Sequence, residues 1–199
     1  QRMVDVVQSQ PSSREKLWKN YSVGSPIPLS LDSSYKSQSL KEIAEQIIEQ
    51  ISDDDLALMH PQVKKLHNKR ISMCRGETEF DWGMAEILAY NVLLAKGISV
   101  RLVGQDAIRG TFSHRHASYF TKNDKQISLL KHHDAPAHIY NSTLSEYAAL
   151  GFEYGYSSSY PDGLVIWEAQ FGDFVNGAQI IIDQFITSAW QKWSRMSGL

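Results

Sequence analysis

The sequence is poor in the features that most readily give a function away. It holds one cysteine, Cys74, in 199 residues, which excludes an internal disulfide and points to a reducing compartment. No apolar run approaches the roughly 18 residues that a membrane span needs, so a membrane-inserted protein is not expected. Charge of one sign is lacking as well. Lys and Arg number 20 against 22 Asp and Glu, a net charge of -2, and no basic field is left to steer the chain onto nucleic acid or an anionic membrane. There is no GxGxxG, P-loop, GxSxG elbow, HExxH or CxxC, which sets the commonest nucleotide-binding, hydrolase and metalloprotease readings low. What is present is 42% apolar and 21% charged residues, the composition of one globular domain able to bury a core and not of a collagen, a coiled coil or a disordered chain. The chain opens Gln1-Arg2-Met3 with no charged-then-apolar leader, so it is read as carrying no signal peptide and as a piece of something longer.

The first 38 residues stand apart. Pro11, Pro26 and Pro28 lie among many serines, and residues 1–38 read as an arm or linker. From Ser39 onward the pattern becomes periodic. Ser39 and Glu42 have the spacing of a capping box, and Leu40, Ile43, Ile47, Ile48 and Ile51 form one apolar stripe of a helix. Asp53-Asp54-Asp55 ends that helix or caps the next turn. A mostly polar helix is expected from Pro61 to about Met73, with Val63, Leu66 and Ile71 as its apolar points. Asp81 can cap a helix through Met84, Ile87, Leu88, Val92 and Leu93, closed by Gly97. Ile98 to Val103 and Leu164 to Trp167 read as buried strands. Thr111 to Phe120 and Gln126 to Leu130 read as extended segments either side of a turn at 122–125. Ser142 to Tyr156 and Asn176 to Trp193 read as helices. This alternation predicts an α/β fold, a mostly parallel sheet flanked by helices on both faces. Because the chain stops straight after its last helix, the sheet is expected to be incomplete at the C-terminal end.

Three segments hold residues able to do chemistry. Ligands of open α/β sheets sit outside the carboxyl ends of the strands, which is where Gly104 to His116 falls. Were Ser113 to Ala117 extended, His114 and His116 would point to one side and could bind a metal or shuttle protons. With no third ligand at a recognisable spacing, metal binding is the weakest of these readings, and two surface histidines on a loop is the plain alternative. Glu146 stands at the entry of an apolar helix. If buried there it must be paired, hydrogen-bonded or protonated, whereas an exposed Glu in a first turn is an ordinary partner of the helix dipole. Phe171 and Phe174, three apart in a glycine-containing loop after a strand, could stack on a flat ring or belong to the core.

Taken in order, Phe80-Asp81-Trp82-Gly83-Met84-Ala85-Glu86, Gly104-Gln105-Asp106, Arg109-Gly110-Thr111-Phe112-Ser113-His114-Arg115-His116-Ala117, Leu144-Ser145-Glu146, Gly151-Phe152-Glu153-Tyr154-Gly155-Tyr156 and Trp167-Glu168-Ala169-Gln170-Phe171-Gly172-Asp173-Phe174 resemble one family. It is the thiamine-diphosphate-dependent decarboxylating component of the 2-oxoglutarate dehydrogenase complex of the tricarboxylic acid cycle. The resemblance runs from about Ser39 to Leu199 and implies that residues 39–199 are a truncated pyrimidine-binding domain with the thiamine-diphosphate-binding fold. It also implies roles. Glu146 would hydrogen-bond a ring nitrogen of the cofactor's aminopyrimidine and serve as the catalytic proton relay. Leu144, Phe171 and Phe174 would line the aminopyrimidine pocket. His114 and His116 fall in the family's HRHA motif and stand as candidate catalytic residues without an assigned step.

The resemblance implies partners and absences too. In the family Mg²⁺ and the diphosphate are held by a second domain through a Gly-Asp-Gly motif, which this sequence lacks, so no metal ligand is expected in this chain and the chain alone is expected to be inactive. The groups that read the 2-oxoglutarate carboxylates belong to that domain too, and a Pro-His-Gly histidine would follow Leu199. The implied partners are a second copy of the protein in a homodimer, the dihydrolipoyl succinyltransferase of the complex, and 2-oxoglutarate. The alternatives are a dehydrogenase for a related acid such as 2-oxoadipate, a non-oxidative 2-oxoglutarate decarboxylase, and a non-catalytic assembly domain of the same fold. The expected location is the bacterial cytoplasm, with the mitochondrial matrix as the alternative.

Overall fold

In a computed structural model of the chain, residues 17–21, 37–130 and 135–199 are described. Most of the expected arm lies outside them. Of its residues 17–21, Trp18 donates its indole N–H to the carbonyl of Ser158 at 2.8 Å, and Tyr21 donates its hydroxyl to Asp162 Oδ1 at 2.6 Å.

The helical hairpins form as the caps dictate, with shifts at their ends. Helix α1 (Ser37–Glu49) begins two residues before the expected cap at Ser39, and Ile43, Ile47 and Ile51 of the expected stripe are buried, with Ala44 beside them. Ser52 caps α2 (Asp53–Ala57), its Oγ accepting from the amide of Asp55. Helix α3 (Pro61–Cys74) starts on proline, where a missing N–H costs nothing. Its interior departs from expectation. Val63, Leu66 and Ile71 are only partly buried, while His67, Arg70, Met73 and Cys74 face inward. The reason is that Arg70 is fastened to the loop beneath it, as described below. Burial pushes the Cys74 thiol up to about 11, so it stays protonated at neutral pH. Asp81 Oδ1 accepts from the amide of Met84 at 2.9 Å to open α4 (Trp82–Ala95), and Gly97 takes φ 76° after its end.

Strand β1 (Val100–Gly104) is the centre of a three-stranded parallel sheet in the order β4-β1-β5, with β4 at Ala137–Asn141 and β5 at Leu164–Glu168. Val100 pairs with Ala137 and Leu164, and Gly104 with Asn141 and Glu168. Strand alternation then sorts the two faces. Val100, Ile139, Leu164 and Ile166 pack with Met84, Ile87, Leu88 and Leu94 of α4 in the main core. Each such apolar side chain contributes about 1.5–3 kcal/mol when fully buried. The opposite face carries Arg101, which makes a two-pronged ion pair with the buried Glu153 of α5 (Glu146–Ser159) at 2.7 and 2.8 Å. Helices on both faces of a parallel sheet are the expected architecture.

Four expectations on elements need correction. Strand β4 occupies a segment read as loop, because its polar-apolar sequence Ala-His-Ile-Tyr-Asn lies at the edge of the sheet that the described residues form, with β1 as its one neighbouring strand among them. Of Thr111–Phe120 only β2 (Ser118–Phe120) is a strand, and it pairs antiparallel with β3 (Gln126–Ser128) as a separate ribbon. The helix read from Ser142 starts at Glu146, because Ser145 is its cap, its Oγ accepting from the amide of Ala148. The single helix read over Asn176–Trp193 is instead a 3₁₀ segment (Gly172–Ala178), a single α turn α6 (Gln179–Ile181), a π segment (Ile182–Ile186) and α7 (Ala189–Trp193). The hydroxyls of Thr187 and Ser188 both donate to the carbonyl of Asp183, which diverts that carbonyl from a regular helical ladder.

Candidate active site at the strand ends

The carboxyl ends of β1, β4 and β5 open onto a small cleft walled by Gln105, Ser142, Leu144, Glu146, Trp167 and Gln170. Glu146 enters it from the first turn of α5. Gln105 donates its side-chain N–H to Glu146 Oε1 at 3.3 Å. The other oxygen, Oε2, faces Gly177, where a Cβ would stand only 3.4 Å away. Phe174 stands in the same 3₁₀ segment, Gly172–Ala178, as Gly177. Phe171 and Phe174 meet edge to face with ring centroids 6.1 Å apart, and Phe112 meets Phe171 at 5.8 Å.

Glu146 is therefore neither a fully exposed surface charge nor a buried one. It is half-buried, Leu144 beside it is 53% exposed, and Ala149 and Leu150 are buried behind it. The described residues leave this carboxylate open on one side. Phe171 and Phe174 belong to an exposed aromatic surface next to the cleft. The cleft thus presents a carboxylate with one oxygen held by Gln105 and an aliphatic side chain, with two aromatic rings standing next to it, a set that can accept a hydrogen bond and cover an apolar face.

The histidines do not sit as extended backbone would place them. Ser113 and His116 both have positive φ, 53° and 40°, and the amides of Arg115 and His116 both donate to the carbonyl of Arg109. Residues 113–116 form a tight turn, so strand alternation does not apply to His114 and His116. The physical cause is the pair of buried arginines. Arg70 donates Nη1 to the carbonyl of His116 and to the hydroxyl of Tyr119, and Nη2 to the carbonyl of Arg115, curling the segment around its guanidinium. The His114 ring lies over Gly110, where a Cβ would stand 2.4 Å from Cε1, and its Nδ1 is buried without a partner. Burial, reinforced by the charges of Arg70 and Arg109, holds His116 below the usual histidine range. Among the described residues no group of three or more His, Cys, Asp or Glu side chains could hold a metal ion.

Sequence reasoning gave no role to the residue at the centre of the HRHA motif. Arg115 is 3% exposed and uses all five of its N–H groups. Nε and Nη2 donate to Glu86 of α4 at 2.8 and 3.0 Å, Nη1 and Nη2 to Glu168 of β5 at 2.7 Å each, and Nη1 also to the carbonyl of Ala107. Burial opposes its charge, but Glu168 and Glu86 outweigh that and raise its pKa above the usual arginine value. The available signal is Glu168, a charged residue at the end of an apolar strand run and flanked by Trp167 and Ala169, which needs a cation nearby if it is buried. Gln105 was visible in the same way, beside Gly104 at a strand end.

A parallel sheet covered on both faces, with a helix-borne carboxylate and aromatic residues at its strand ends, defines a cofactor-binding α/β domain. Residues 78–199 match the family of transketolase pyrimidine-binding domains, and the chain belongs to that family. Relatives similar to it are the "2-oxoglutarate dehydrogenase E1 component" of Coxiella burnetii, 57% identical over 145 residues covering 71% of this chain, and that of Cupriavidus necator, 46% identical over 176 residues covering 84%. The "2-oxoglutarate dehydrogenase, mitochondrial" of Dictyostelium discoideum is 51% identical over 150 residues covering 71%. The matches span 16%, 18% and 15% of those proteins' own lengths.

Proposed function

We propose that this chain is the pyrimidine-binding part of a 2-oxoglutarate dehydrogenase decarboxylating component. The observation that carries the reading is Glu146, capped by Ser145 at the head of α5, with Oε1 held by Gln105 and Oε2 turned towards the 3₁₀ segment that bears Phe174. Thiamine diphosphate, when bound, supplies the reactive carbon at which a 2-oxo acid is decarboxylated. Glu146 would accept a hydrogen bond from, or return a proton to, a nitrogen of the aminopyrimidine, while Leu144, Phe171 and Phe174 would cover the ring and keep water from it. A relay of this kind works best in a dry site, and this chain leaves Leu144, Phe171 and Phe174 exposed. The missing cover is what a second copy in a homodimer would provide, together with the Mg²⁺ and diphosphate ligands and the groups that read 2-oxoglutarate. On this reading the succinyl group passes to a lipoyl group of the partner succinyltransferase. The bacterial relatives favour a cytoplasmic location, and the mitochondrial relative keeps the matrix as the alternative. No helix among the described residues is long and apolar enough to cross a membrane.

The test is calorimetric titration of thiamine diphosphate with Mg²⁺ into the full-length gene product and into this chain, with turnover of 2-oxoglutarate and of 2-oxoadipate measured on the former. Binding and 2-oxoglutarate turnover by the full-length protein alone are expected. No binding by the full-length protein would move the non-catalytic assembly reading to first place, and preference for 2-oxoadipate would change the substrate.

A further inference from the structure

The loop that carries Gln170, Phe171 and Phe174 leaves both phenylalanines partly exposed, and Ala178 at its far end packs with Leu150 of α5. Two ties reach it from the preceding loop. Thr111 Oγ1 donates to the carbonyl of Gln170 at 3.2 Å. Arg115 grips both oxygens of Glu168, the last residue of β5, at 2.7 Å. Strand pairing puts Glu168 beside Gly104, and the two backbones come so close that a Cβ on Gly104 would stand 2.5 Å from the Glu168 carbonyl oxygen. The other fork of Arg115 goes to Glu86 on α4, which itself accepts from the hydroxyl of Tyr90. One guanidinium thus spans two elements. Its Glu86 fork fixes the loop to the scaffold, and its Glu168 fork fixes the start of the aromatic loop.

We infer that Arg115 is a positioning residue for the aminopyrimidine site, acting through Glu168 on the loop that bears Phe171 and Phe174. This rests on the cofactor reading above. The two forks give the inference its test, because each can be broken separately while Arg115 keeps the other. In the full-length protein Glu168→Gln should weaken thiamine diphosphate binding about tenfold, the size of a lost charged hydrogen bond when it is felt at the ligand. It should also alter the near-ultraviolet circular dichroism of the bound cofactor, and saturating cofactor should restore most of its turnover. Glu86→Gln, which breaks the scaffold fork, should lower the melting temperature and leave cofactor affinity within about twofold of the parent. If Glu168→Gln does not fold, Thr111→Val loosens the same loop without removing a charge and should weaken cofactor binding by a smaller factor. Equal behaviour of the two glutamate variants, or unchanged affinity in Glu168→Gln or in a Thr111→Val that replaces it, would overturn the inference and leave Arg115 a purely structural ion. A parent protein that binds no thiamine diphosphate would instead remove the cofactor reading, and the positioning role with it.

Discussion

The Arg115 frame and the Glu146 edge lie on either side of the same loops, and they are built in opposite ways. Around Arg115 every donor is used, both carboxylates are shared by geometry that a lysine could not reproduce, and the guanidinium is sealed from water. Around Glu146 one carboxylate oxygen has a single hydrogen bond, and Leu144, Phe112, Phe171 and Phe174 are exposed. Among the described residues the frame is closed and the edge is left open. A buried charge is costly unless it is paired, whereas on the proposed reading the Glu146 edge keeps its contacts unmade for a ligand and a second copy.

The largest effect that would sharpen this contrast is expected at the open edge. Glu146→Gln in the full-length protein should lower turnover by about 10²–10⁴ while the melting curve stays that of the parent. Normal hydrogen exchange at the cofactor's reactive carbon in that variant would remove Glu146 from the relay. At the closed frame the cost should fall on stability. Arg115→Met leaves Glu86 and Glu168 without their counter-charge and should destabilise the fold by about 3–5 kcal/mol, read from urea unfolding. A loss below about 1 kcal/mol would mean that water or another cation replaces the guanidinium. Phe174→Ala should reduce cofactor affinity by about 0.5–1.5 kcal/mol with little change in stability, since that ring is 47% exposed. Unchanged affinity would place Phe174 outside the site.

The smallest effect concerns pH. His67 and His116 are both held below the usual histidine value, chiefly by burial and then by Arg70. The unfolded chain therefore takes up protons, from its ordinary value near 6.5, before the folded one does. Stability is present above that pH and falls as pH is lowered through it, by less than about 1 kcal/mol per histidine between pH 7 and 6. Unfolding curves at those two pH values check the sign, and His116→Gln should flatten the slope.

Much of the architecture was legible because it rests on local rules. Asp81 and Pro61 opened helices where caps and prolines do so, and the β-branched runs at Ile98–Val103 and Leu164–Trp167 became the neighbouring strands β1 and β5. Strand β4 was not legible, since its alternation of Ala, His, Ile, Tyr and Asn takes its meaning from pairing with β1. The end of the chain misled for a related reason, because Thr187 and Ser188 turn their hydroxyls back onto the helix at a place where composition alone reads as continuous. At the site, the sequence pattern picks out Glu146, Phe171 and Phe174 as candidates, spacing alone favours a plain first-turn charge for Glu146, and Leu144 and the roles of all four come from the family resemblance.

What the sequence determined by itself was the capped helices at Pro61 and Asp81, the strands β1 and β5, the absence of an internal disulfide, and the ordered motifs that mark a pyrimidine-binding domain, because each depends on residues near one another in the chain or on their presence alone. Tertiary structure decided that His114 and His116 share a tight turn, that Arg70 and Arg115 form the buried frame, and that Gln105 reaches Glu146 across 41 positions. Those outcomes depend on which distant groups are left to satisfy a buried charge, and that is settled only when the elements pack.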